Sequence, residues 1–168
     1  MKPKLLVSAC LLGTPCRYDG KSKKNEAVCA LAERFELIPV CPEVLGGLPT
    51  PRTPSERLGA CVVRKDGRDV TAEYRRGAEC ALETARREGV LAAVLKERSP
   101  SCGSGEIYDG TFTGALTAGD GVTAELLKSN GITVYGEGEQ SLTEFLCSCL
   151  LYTSDAADEL IGVDLGGR

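Results

Sequence analysis

Short apolar runs alternate with helical patterns along this chain, and that alternation constrains the fold more than any other feature. Lys4 to Ala9, Leu37 to Val40, Ala60 to Arg64, Leu91 to Leu95 and Ile132 to Tyr135 each have the length and character of a strand. Between them, Asn25 is placed to cap a helix reaching about Arg34. Thr71 is placed to cap an amphipathic helix that runs through about Glu88 and ends at Gly89. A further helix runs from about Val122 to Asn130 and stops at Gly131. Strand and helix in turn predict an α/β fold: a single three-layer domain, its mostly parallel sheet flanked by helices on both faces. In such a sheet the crevice for a ligand opens beyond the carboxyl ends of the strands, where residues distant in sequence meet. One of those ends is followed by Pro42, Pro49, Pro51 and Pro54 and the Gly46-Gly47 pair, which predict a long irregular loop.

At 168 residues and 42% hydrophobic content the chain is long enough to bury one core. Its formal charge of -4 argues against a nucleic-acid surface, because affinity for a phosphate backbone comes from clustered Lys and Arg. A small-molecule ligand is the expectation. The stretch from Met1 to Leu12 turns polar too soon for a signal peptide, and no apolar run is long enough to span a bilayer, so a cytoplasmic protein without a membrane partner is expected.

Nine cysteines and no histidine then narrow the chemistry. An odd cysteine count in a reducing compartment disfavours a disulfide scaffold. The missing histidine removes mixed Cys/His zinc sites and the commonest general base. Cys29 and Cys80 fall within helical patterns and Cys61 within an apolar run, where cysteine serves as a small hydrophobe. Cys10, Cys41 and Cys102 differ, because each lies in a loop that follows an apolar run. No two of them make a C-x-x-C pair, so neither a zinc ribbon nor a thioredoxin-like redox motif is indicated. Their placement predicts a thiolate-ligated metal or cluster at the strand ends, the alternative being unrelated loop cysteines.

Four motifs carry a more specific signal: Val7-Ser8-Ala9-Cys10-Leu11-Leu12-Gly13, Cys41-Pro42-Glu43-Val44-Leu45-Gly46-Gly47, Ser99-Pro100-Ser101-Cys102-Gly103 and Tyr108-Asp109-Gly110-Thr111-Phe112. In this order, between Lys4 and about Glu139, they resemble the bacterial thiouracil desulfidase family. The resemblance implies a [4Fe-4S] cluster held by Cys10, Cys41 and Cys102 only, with one iron left free for the sulfur of a thiolated pyrimidine. It further implies non-redox conversion of 2- or 4-thiouracil to uracil and hydrogen sulfide, and iron-sulfur assembly machinery as the partner that inserts the cluster. A soft thiocarbonyl sulfur suits iron, whereas the hard carbonyl oxygen of uracil suits it poorly. Water would add to the activated carbon with no net electron transfer.

Without histidine, the proton chemistry falls to other groups. Glu43, two residues from an implied ligand, is the expected acid-base residue; the alternative is a carboxylate that caps a turn or pairs with Arg52. Ser101 beside Cys102 is a second candidate, with an ordinary turn residue as its alternative. Cys16 shares a loop with Cys10 and is catalytic or substrate-adjacent, or else a fourth ligand. Gly46, Gly47 and Arg17 are candidate pocket residues, the glycines because backbone N–H groups approach a ligand closely there. Two other classes stand beside this reading: cluster-dependent sulfur transfer on tRNA, and a non-catalytic structural zinc or cluster protein.

The chain changes character near Ser148. Residues Cys149 to Glu159, CLLYTSDAADE, resemble a translated sequencing-library adaptor. This divides the chain into a desulfidase-like cluster-binding domain over 1–148 and a non-native tail over 149–168, with Cys147 at the junction. Leu142 to Leu151 is apolar enough to form a packing helix.

Overall fold

Leu5, Leu6 and Val7 are all fully withdrawn from solvent, so the first strand is covered on both faces, as the middle of a parallel sheet requires. The computed structural model describes residues 2–149. In chain order the elements are β1 (Lys4–Ser8), α1 (Glu26–Ala30), β2 (Glu36–Val40), α2 (Pro42–Leu45), β3 (Ser55–Leu58), β4 (Cys61–Arg64), α3 (Thr71–Glu88), β5 (Ala92–Val94), β6 (Glu106–Tyr108), β7 (Leu116–Ala118), α4 (Val122–Ser129) and β8 (Val134–Tyr135). The central sheet has the order β2-β1-β5-β8 and every pairing in it is parallel. Leu5 registers with Leu37 on one side and Ala92 on the other, and Val94 registers with Tyr135. This is the expected α/β fold. Parallel pairing also sets the carboxyl ends of all four strands along one edge, which brings the loops after β1, β2 and β5 together.

One core layer joins the sheet to two helices. Leu6, Val40, Ala93, Leu95 and Val134 cluster with Leu82 and Ala85 of α3 and with Ala124 and Leu127 of α4, and Cys102 belongs to the same cluster. Burying each aliphatic side chain of this kind stabilises the fold by about 1.5–3 kcal/mol. The buried face of α3 is built from small residues, Gly77, Ala78, Ala81 and Ala85 among them, which lets neighbours approach closely. At Gly46 and Gly77 that approach leaves no room for any side chain. A Cβ at Gly46 would overlap the Glu73 carbonyl, and one at Gly77 would overlap the Pro42 carbonyl.

Several local elements depart from the sequence reading. Asn25 caps α1 as expected, its Oδ1 accepting from the Val28 N–H at 3.0 Å, but the helix passes into a 3-10 turn at Leu31–Glu33. Thr71 is the first residue of α3 rather than its cap. Its hydroxyl accepts from the Val62 N–H at 2.9 Å and so is engaged by β4, while Asp69 Oδ1 takes the Thr71 N–H at 2.8 Å. The strand expected at Ala60 to Arg64 exists as β4, but it pairs antiparallel with β3 outside the main sheet. Only Val62 of that strand is buried, and Cys61, expected as a small core residue, is exposed. The loop after β2 opens with a helical turn, α2, because Pro42 sits at its first position with φ already set for a helix. The polar loop after Lys96 contains β6, which pairs with β7.

Residues from 138 belong to a second compact unit. Within it, residues 139–149 are helical, and Leu142, Phe145 and Cys149 share one buried face. The remainder of the expected tail, from residue 150, lies outside the described residues. Among the described residues no helix is long and apolar enough to cross a membrane.

Candidate active site

Each of the three strand-end loops delivers a cysteine by a different local device. Beyond β1 a single 3-10 turn, Ala9–Leu12, carries Cys10 and is closed by Gly13 at φ 101°, a left-handed conformation suited to glycine. Beyond β2, Cys41 is the residue that precedes α2, and the turn of α2 sets Glu43 two residues on. Beyond β5, Ser99 organises the turn that carries Cys102: its Oγ accepts from the Ser101 N–H at 3.0 Å and from the Cys102 N–H at 3.1 Å. Arg98, just before that turn, lies at φ 68° in a region side chains rarely adopt.

These loops enclose a cavity of about 590 Å³ lined by Cys10, Cys16, Cys41 and Cys102, together with Glu43 and Arg52. Cys10, Cys16 and Cys102 are buried and Cys41 is half-buried. The Cys16 thiol hydrogen-bonds to those of Cys10 and Cys41, and Cys41 Sγ donates to the Cys16 carbonyl at 3.8 Å. The hydrogen bond to Cys10 pushes the Cys16 thiol upward, and the Cys16 contact together with burial pushes Cys41 upward. Burial pushes Cys102 up to about 12, with a hydrogen bond from Ser8 opposing. Thiols held this way stay protonated at neutral pH until a cation displaces the proton, so loading this site with metal must release protons.

The donor set of this cavity distinguishes a cluster from zinc. It is soft, rich in sulfur and free of imidazole, which suits iron-sulfur chemistry. Among the described residues no three or more His, Cys, Asp or Glu side chains converge as ligands of one metal ion. Thiols distributed around a cavity of this size fit a polynuclear group better than a closed tetrahedral zinc site.

Glu43 faces the cavity and is also paired. Arg52 Nε donates to Glu43 Oε1 at 2.8 Å and Nη2 lies 2.7 Å from the same oxygen, with both side chains largely shielded. The buried Tyr74 phenol hydrogen-bonds to Glu43 and Ser55 as well, and burial drives its titration upward. The pairing with Arg52 considered as an alternative from sequence is therefore present, and it coexists with a position on the cavity wall. Arg17 also lines the cavity, its guanidinium 5.6 Å from the centroid of the Tyr18 ring.

Three sequence candidates sit elsewhere. Ser101 is buried behind Cys102 and bonds Thr123 through the two hydroxyls at 2.9 Å; it is not among the lining residues. Gly46 and Gly47, candidate pocket residues from the sequence, are not among the cavity-lining residues either. The Gly46 backbone packs on α3 and its carbonyl accepts from Arg76 at 2.8 Å, while the space beside Gly47 faces Arg76. Sequence reasoning passed over Ser8 and Ser99. The first accepts from the Lys96 N–H at 2.8 Å and reaches the Cys102 thiol. It also passed over Glu56, whose Oε1 accepts from the Gly110 and Phe112 N–H groups at 2.9 and 3.1 Å and so ties the Tyr108-to-Phe112 motif to the cavity wall. For the serines a readable signal existed, since each lies within a cysteine motif.

Three likenesses bear on what this arrangement is. The chain is 44% identical to the uncharacterized protein YbbK of Bacillus subtilis (strain 168) over 145 residues, 80% of this chain and 96% of that one. It is 51% identical to a solved structure of the [4Fe-4S]-dependent thiouracil desulfidase TudS, with a TM-score of 0.82 over 89% of this chain and 99% of the other. The family model for 2-thiouracil desulfurase matches residues 5–139, a span that contains all three strand-end loops and the cavity they enclose. By that match, and by its likeness in fold to the solved desulfidase, the chain belongs to the 2-thiouracil desulfurase family.

Proposed function

We propose that this chain converts 2- or 4-thiouracil to uracil and hydrogen sulfide by hydrolysis, using a [4Fe-4S] cluster held by Cys10, Cys41 and Cys102. The observation that supports this most is the meeting of three strand-end cysteines at one cavity in a chain 51% identical to a [4Fe-4S]-dependent thiouracil desulfidase. When bound, the cluster supplies a Lewis-acidic iron that prefers a soft thiocarbonyl sulfur to the hard oxygen of the product.

The chain's own residues do the rest. Glu43 accepts a proton from the attacking water, in the role histidine would otherwise fill. Cys16, which also lines the cavity, is the thiol left over once three are ligands, and it returns a proton to the departing sulfur. The water oxygen becomes the uracil carbonyl oxygen, and the sulfur leaves with two protons, one from Cys16 and one from the added hydroxyl as it becomes the carbonyl; the proton held by Glu43 then restores the Cys16 thiol, and no electron enters or leaves. Ser101 works from behind Cys102, holding that turn in place through Thr123. Arg17 and Tyr18 form part of the wall against which a flat pyrimidine would lie. Cluster insertion would come from the iron-sulfur assembly machinery.

Anaerobically reconstituted protein, supplied with thiouracil in ¹⁸O-labelled water and no reductant, should yield one labelled oxygen per uracil and one sulfide per turnover. Unlabelled uracil, or a strict need for a reductant, would contradict hydrolysis.

A further inference from the structure

Arg52 is bonded to two of the three cysteine-bearing loops, those after β1 and β2, and its side chain is only 8% exposed. Nε donates to Glu43 Oε1, and Nη2 lies beside the same oxygen. Nη1 donates to the Pro49 carbonyl at 3.0 Å and to Thr50 Oγ1 at 3.1 Å, while Nη2 also donates to the Cys16 carbonyl at 3.1 Å. A guanidinium has five N–H donors in a rigid fork; four hydrogen bonds use it here, and Nη2 is also ion-paired with Glu43. The backbone joins in, since the Arg52 N–H donates to the Tyr18 carbonyl at 2.7 Å.

The element bearing Glu43 cannot hold that side chain unaided. With four residues, α2 is a single turn, far below the length at which a helix is stable alone. Its packing on α3 through Gly46 fixes the backbone, not the carboxylate. The segment bearing Cys16 contains no helix or strand, running as turn and coil from Gly13 to Asn25.

We infer that Arg52 is a positioning residue for the reaction proposed above: it fixes the Glu43 carboxylate and the Cys16 segment relative to one another, so that both face the same substrate. The inference rests on the reading of Glu43 as proton acceptor. A lysine would keep the charge but not the fork, so Arg52→Lys should not restore the function.

The test measures kcat, KM, iron per protein and the visible cluster absorption for Arg52→Ala, Arg52→Lys, Glu43→Gln and the double variant Glu43→Gln/Arg52→Ala. Product is collected over long incubations so that slow variants are quantified. Loss of Arg52 should lower kcat about 10–100-fold, the range seen when a group supporting a reactive residue is removed, with KM and iron content close to wild type. Arg52→Lys should fall at least tenfold with its thermal transition retained, which keeps the test decisive should Arg52→Ala fail to fold. In the Glu43→Gln background, Arg52→Ala should cost nothing further, because the group through which it acts is already disabled. Additive losses, iron content falling in step with activity, or wild-type kcat in Arg52→Lys would each overturn the inference. Wild-type kcat in Glu43→Gln would instead overturn the reading of Glu43, and the role of Arg52 with it.

Discussion

The two walls of the cavity are held by opposite means. Cys102 belongs to the apolar cluster shared by the sheet, α3 and α4, and serine hydroxyls trim its turn. Cys16 and Cys41 stand instead in a polar network, in which Arg52, Glu43 and the Cys16 carbonyl are joined by directed hydrogen bonds. The first wall is fixed by the packing that makes the fold; the second needs particular side chains kept in particular places. Apolar packing is non-directional and tolerates some repacking, whereas hydrogen bonds to charged groups act only while donor and acceptor keep their directions. The two walls should therefore fail differently, one through global stability and the other through local geometry.

Truncating the packed wall has the largest effect on stability. Leu82→Ala removes a buried side chain from the cluster that contains Cys102, and should lower unfolding free energy by about 2–5 kcal/mol in chemical denaturation. A change under about 1 kcal/mol would mean that the cluster does not hold this wall. Next comes Ser99→Ala, which strips the acceptor from the Ser101 and Cys102 N–H groups. Leaving them unpaired should cost about 1–3 kcal/mol and speed loss of iron to a chelator. Unaltered iron retention would make Ser99 a bystander. The smallest effect belongs to the polar wall: Thr50→Ala removes one exposed acceptor of Arg52 and should cost about 0.5–1.5 kcal/mol at most. A larger loss would show that the network is less redundant than its several acceptors imply.

The same contrast explains what could be read from the sequence. Parallel strands announce themselves as apolar runs, and a loop cysteine after such a run is placed by topology alone, so Cys10, Cys41 and Cys102 were legible with the fold. Glu43 was legible as a carboxylate near an implied ligand and as a candidate partner of Arg52, but not the fact that Arg52 also binds the Cys16 carbonyl, because that depends on how two loops cross. Ser8 and Ser99 act by accepting backbone N–H groups, a role set by turn geometry that serine's identity does not advertise. Gly46 and Gly47 signalled a close approach without naming what approaches, which for Gly46 is the backbone of α3. The clue was Gly77, a glycine inside a long helix, where it costs about 1 kcal/mol relative to alanine and so points to a packing need. Thr71 misled for a related reason, since a threonine at a helix start has the chemistry of a cap whether or not a neighbouring strand claims its hydroxyl.

The central claim is a cluster held by three thiolates, with Cys16 left free beside Glu43. An anaerobic crystal structure of the reconstituted protein, with iron located by anomalous scattering, tests it most directly. Four irons bonded to the sulfurs of Cys10, Cys41 and Cys102 alone are expected; a bond from Cys16 to iron, or zinc in place of iron, would contradict the account.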